Sequence, residues 1–126
     1  MQLYKYDIKG FLHWGYNYYN NQLSYAQINP YLRTDGDCFA PSGDAFSVYP
    51  GANGEPLESL RLVNFHHALQ DMRALALCEK LIGREQTVRL IEQDTDPITF
   101  KRYPKSDLWL VCARERINAA IKHHLR

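Results

Sequence analysis

The segment GFLHWGYN, residues 10–17, is the feature that most limits what this chain can fold into. Gly10 marks its start and its centre runs from Phe11 to Tyr16. Both alternate sets of positions are largely apolar, with Leu12, Trp14 and Tyr16 on one side and Phe11 and His13 on the other. A strand that is apolar on both faces belongs in a sheet covered on both faces, the habit of parallel α/β sheets. One other strand is legible, DAFSVYPG at 44–51, with Phe46 and Val48 on one face and Ala45, Ser47 and Tyr49 on the other. Two strands cannot make a covered parallel sheet. The chain therefore asks for strand partners that it lacks, supplied by copies of itself or by a larger whole.

The remainder divides the chain into two unlike parts. Twelve of its sixteen Phe, Tyr and Trp residues fall in the first 50 positions, making 1–56 an aromatic strand-loop-strand segment and 57–126 a helical one. Between the strands, 18–43 keeps no period. Asn29-Pro30, Asp35-Gly36 and Pro41-Ser42-Gly43 mark it as a long loop, and long loops in small domains tend to be functional.

From Leu57 a helical stripe runs through Leu62, Phe65, Leu69, Met72 and Ala76, with Pro56 in the first turn and Gly83 as the C-terminal cap. A short helix is expected over 84–92 and a weak extended piece over ITFKRY, 98–103. Ser106 caps a last helix that buries Leu110, Ala113, Ile117, Ala120 and Ile121.

Composition excludes several functions. With 126 residues, 45% apolar and 23% charged, the chain is long enough for one domain with a real core. A net charge of +1 gives no electrostatic reason to bind nucleic acid or an anionic membrane. Only Lys5 and Lys9 lie near the aromatic strand, too few for single-stranded nucleic acid. No stretch reaches the roughly 20 apolar residues of a membrane span, and MQLYKYDIKG has no signal-peptide core. Cys38, Cys78 and Cys112 form no CxxC, which points to reduced, buried thiols in an intracellular, cytoplasmic protein.

Residue order then resembles a known family. WGYNYYNN, followed by SGDAFSVYPG, by G-x-P-x-x-SLRL and by a helix containing ALQDMRAL, is similar to the C-terminal part of the glycoside hydrolase family 123-like catalytic domain. The similarity runs over about residues 5–92. That family, formerly a domain of unknown function, includes β-N-acetylgalactosaminidases. Ala45 stands where glycine is usual, and Val63-Asn64 replaces an acidic residue. The resemblance implies a (β/α)8 barrel, of which this α/β chain holds the last two β/α units plus C-terminal helices, incomplete on its own.

It also implies substrate-assisted hydrolysis of N-acetylhexosaminides, in which the sugar's acetamido oxygen attacks the anomeric carbon and an adjacent Asp-Glu pair assists. No Asp-Glu or Glu-Asp dipeptide occurs here, so the chain alone is expected to be inactive. A barrel mouth at the strand ends would gather Trp14, Tyr16, Asn17 and Tyr49 as a sugar-binding wall, with Asp44 and Arg61 structural beside it. On residues alone, Trp14 is more often core packing, and Asn17 is as often a turn former as a ligand. One of Tyr18 and Tyr19 is expected to pack and the other to face solvent. Asp44 reads as a turn residue rather than an acid. Arg61 reads as a structural cation held by a carboxylate or the preceding loop, with ligand contact as the alternative.

His13 reads as a hydrogen-bonded core histidine. His66-His67 and His123-His124 sit about 100° apart on helices and cannot share a metal ion. No cofactor is expected, since no phosphate-binding glycine loop occurs. Partners are carbohydrate in the intact protein, and the rest of the barrel or copies of the chain. The competing reading is a non-catalytic structural or self-associating module.

Overall fold

A computed structural model describes residues 1–125; Arg126, the last residue of the expected helical segment, lies outside the described residues. Among the described residues, four helices and a two-stranded sheet follow in the order α1 (Gln2–Lys5), β1 (Val48–Pro50), β2 (Pro56–Glu58), α2 (Leu60–Ile82), α3 (Arg84–Glu92) and α4 (Asp107–His124). A 3-10 turn, Gln22–Ser24, interrupts the long loop. The chain segregates into two compact units, Phe11–His67 and the remainder, with the boundary falling inside α2.

The helices follow their local signals. Ser106 caps α4, its hydroxyl accepting from the Trp109 amide at 3.2 Å, and Lys122, His123 and His124 sit in the last turn, where the helix dipole favours cations. Gly83 both ends α2 and starts α3. Its amide donates to the Glu79 carbonyl at 2.8 Å, and its carbonyl accepts from Thr87. Its backbone, φ 85° and ψ 158°, is territory that only glycine enters cheaply.

Around Leu75, Cys78, Ile91 and Ile117, with Tyr4 and Ile98, the helical unit closes a core. Lys5 bonds Glu92 at 2.6 Å and the Ile98 carbonyl at 2.8 Å, and Glu92 also accepts from the Ile98 amide, so one ion pair pins Ile98 into that core. The expected α4 stripe is in place, with Ala113 and Ile117 buried and Leu110, Ala120 and Ile121 half-buried.

The α2 stripe needs correction. Leu69 is 60% exposed and Ala76 is exposed, while Leu75 and Cys78 are buried. One stripe presumes one core along the helix, and this helix serves two units. Its start moves as well. Pro56 belongs to β2, and Ser59 caps the helix, its hydroxyl accepting from the Leu62 amide at 3.3 Å.

The largest difference concerns residues 11–16, which form no strand. Phe11 is 64% and Leu12 89% exposed, because no second sheet face covers them. The segment meets the second strand region at a single antiparallel bridge, Asn17 to Phe46, where the Tyr16 carbonyl accepts from the amides of Ser47 (2.7 Å) and Val48 (3.2 Å). The sheet is instead a hairpin, with Val48, Tyr49 and Pro50 opposite Glu58, Leu57 and Pro56. Both prolines sit at the ribbon's end, where a missing N–H costs no ladder bond. Residues 98–103 form no strand either; the Thr99 amide turns back to the Arg102 carbonyl at 2.7 Å. The fold is a mixture of helices and one small two-stranded sheet.

Within Phe11–His67 the centre is Ala45, Phe46, Ser47 and Val48, all buried. Gly15 crosses this run so closely that a Cβ there would lie 2.6 Å from Ala45 Cα and from the Asp44 carbonyl oxygen. Among the cysteines Cys78 is buried, Cys112 half-buried and Cys38 exposed; all three are free, so the expectation of three buried thiols holds fully only at Cys78. No helix of the described residues is long and apolar enough to cross a membrane.

Candidate functional site

The Gly15 crossing places Asp44 beside the aromatic segment. The Trp14 indole Nε1 donates to Asp44 Oδ2 at 2.9 Å, and His13 Nε2 lies 2.8 Å from the Asp44 carbonyl oxygen and 3.8 Å from Oδ1. Asp44 lies in a turn and receives side chains at its carboxylate, while His13 is hydrogen-bonded as expected but half-buried instead of in the core. Trp14 packs with Tyr18 and Phe39, ring centroids 5.7 Å away in each case, and remains 50% exposed. An indole fixed at its nitrogen and open along one side offers an apolar face of defined orientation.

A second aromatic group surrounds Tyr49. Its hydroxyl accepts from Arg61 Nη2 at 2.8 Å, and Arg61 Nε donates to the Phe46 carbonyl at 3.0 Å. The guanidinium carbon stands 5.8 Å from the Tyr49 ring centroid. Arg61 is thus held by a backbone carbonyl and a β1 phenol rather than by a carboxylate. Tyr49 packs on Phe46 and Tyr31, with centroids 5.7 and 5.2 Å apart. Tyr19 rests on Phe46 and donates to the Val48 carbonyl at 2.8 Å, and burial pushes its phenol above the usual range.

The expected residues fall into separate groups. Trp14 and Asp44 stand together, and Tyr49 stands with Arg61. Tyr16 contributes its carbonyl to the bridge and leaves its ring exposed, and Asn17 occupies the bridge itself with an exposed side chain. Tyr18 and Tyr19 both pack and both are half-buried, which corrects the expectation that one of them faces solvent. His13, Phe39 and Tyr31 join these groups without having been singled out for a site. Phe39 and Tyr31 lie in a loop without period, and only tertiary contact selects them. Among the described residues no three His, Cys, Asp or Glu side chains gather as a metal site.

Indole and phenol rings held by side-chain hydrogen bonds thus stand within one small unit. The model of the glycoside hydrolase 123 catalytic domain matches residues 1–78, and the chain belongs to that family. The matched span contains every residue of both aromatic groups and ends within α2. A search of curated proteins finds no match.

Proposed function

We propose that this chain supplies one wall of an N-acetylhexosaminide-binding site in a glycoside hydrolase of the 123 family, and that it lacks the acidic pair needed for turnover. The observation that carries the reading is the Trp14–Asp44 bond. It holds an exposed indole in one orientation at the end of the segment that carries the family motif, and sugars present C–H faces that pack on such rings. Tyr16, Asn17 and Tyr49 are the other contacts proposed, with Asp44 and Arg61 holding the wall from behind.

In this reading, residues 10–17 and 44–51 take their strand positions in a (β/α)8 barrel whose other units lie outside this sequence. The exposure of Phe11 and Leu12 supports that view, since a strand apolar on both faces is incomplete without neighbours. General acid catalysis requires a positioned proton donor. Purified chain incubated with aryl N-acetylgalactosaminides and N-acetylglucosaminides should therefore show only background release, while N-acetylgalactosamine should shift the Trp14 indole N–H resonance. Turnover that disappears on mutating one carboxylate of this chain would refute the missing-pair reading. Absence of any sugar-induced shift would refute the wall.

A second reading, self-association, draws on the same exposed side chains. Phe11, Leu12, Leu32 and Leu60 are all largely exposed within one unit, apolar surface that a second copy could cover. Sedimentation equilibrium showing a stable monomer that binds no hydrophobic dye would remove it.

A further inference from the structure

Tyr31 lies in the long loop, and its ring is 53% exposed. An exposed tyrosine ordinarily samples several rotamers. This one is tied at its far end, where the hydroxyl donates to the Pro50 carbonyl at 2.9 Å, nineteen residues away in sequence. Its ring also leans on Tyr49 at 5.2 Å and 40°, and Tyr49 is itself held by Arg61. Two anchored rings therefore stand together with one of them open to solvent. Pro30, Thr34, Leu57, Glu58 and Ser59 complete a shallow surface cleft, wide open to solvent, around the pair.

The hydroxyls on this cleft have defined roles. Tyr31 uses its proton on Pro50. Tyr49 accepts from Arg61 and so keeps its own proton to donate, and Thr34 Oγ1 accepts from Ser42 at 2.8 Å and likewise keeps its own. Glu58 is the single charged residue among those lining the cleft, which favours a neutral ligand over an anion.

We infer that this cleft is a pyranose subsite in which Tyr31 is the stacking platform. The C–H face of a neutral sugar ring packs on Tyr31, and the Tyr49 and Thr34 hydroxyls donate to its oxygens. The anchoring through Pro50 and Arg61 orders the platform before ligand arrives, which lowers the entropy lost on binding. The inference rests on the carbohydrate reading above and adds to it a second contact surface, apart from the Trp14 group.

The test uses the full chain, titrated with a β-linked N-acetylhexosamine disaccharide and followed by NMR at the Tyr31 ring and the Trp14 indole N–H. Both signals should move, and Tyr31→Ala should weaken binding about three- to tenfold, the range of one aromatic contact. Tyr31→Phe keeps the ring but loses the Pro50 anchor and should fall between. A thermal melt of each variant separates lost binding from the modest destabilisation that losing the Pro50 bond and the Tyr49 packing brings. Movement at Trp14 with none at Tyr31, or unchanged affinity in Tyr31→Ala, overturns the subsite while leaving the sugar wall intact. Movement at neither defeats both.

Discussion

Trp14 and Asp44 are thirty residues apart in sequence, and their side chains meet in a 2.9 Å hydrogen bond from indole to carboxylate. The bond forms because Gly15, the next residue, lets the segment pass directly over Ala45. Trp14→Ala should cost about 1–2 kcal/mol, well below the ~3–5 kcal/mol of a fully buried tryptophan, because half of the ring already faces solvent. Sugar binding should fall more than stability does. A loss of stability near 4 kcal/mol in urea unfolding, with affinity unchanged, would place the ring in the core instead.

Gly15→Ala should disturb the same crossing from the backbone side. The new methyl meets main-chain atoms of Asp44 and Ala45, which cannot rotate away, so a cost of about 1–3 kcal/mol is expected. Gly10→Ala is the control, since a Cβ there has nothing within 4 Å. Equal unfolding midpoints for the two variants would show that the crossing is looser than it stands here.

Arg61 and Tyr49 should behave as a coupled pair. Tyr49→Phe leaves Arg61 Nη2 without its acceptor, and Arg61→Met frees both the Tyr49 hydroxyl and the Phe46 carbonyl. A double-mutant cycle in chemical denaturation should give a coupling of about 1 kcal/mol. Simple additivity would mean that the bond contributes nothing. Because the hydroxyl already serves Arg61, reduced sugar affinity in Tyr49→Phe reports ring placement as much as a lost contact.

Tyr4 provides an alkaline probe of the helical unit. Burial, reinforced by Glu79 nearby, pushes its phenol up to about 12 from an ordinary 10, and the hydroxyl is sequestered without a hydrogen bond of normal geometry. Between these values the unfolded chain releases the proton first, so the folded state holds more protons and stability falls as pH rises. Below pH 10 the contribution is intact; it is lost on rising through about 12. Tyr4→Phe, which cannot ionise, should therefore lose less stability than the unmodified protein between pH 9 and about 11.5. Parallel pH profiles for the two proteins would contradict this.

Much of the molecule was readable from local chemistry. Gly83 between two helices, Ser106 before the last, and the buried spacing of Ala113 and Ile117 each obey rules that act within one or two turns. The turn residues after Pro50 likewise bring the chain back, with the Gly51 amide bonding the Glu55 carbonyl at 2.7 Å. The family, too, was legible, because its motif keeps residue types in a fixed order over 1–78. Pairing was not. Apolar residues at 11–16 announce a strand, but a strand exists only if another backbone lies beside it, and here Pro56–Glu58 pairs with Val48–Pro50 instead. The α2 stripe failed for a related reason, since periodicity records which residues are apolar and not how many cores a helix serves. The aromatic groups needed the tertiary structure most. Tyr31 reaches Pro50, Trp14 reaches Asp44 and Arg61 reaches Phe46 across 15 to 30 residues of chain. Hydrogen bonds between distant side chains leave no period in a sequence, because folding alone decides which donor arrives at which acceptor.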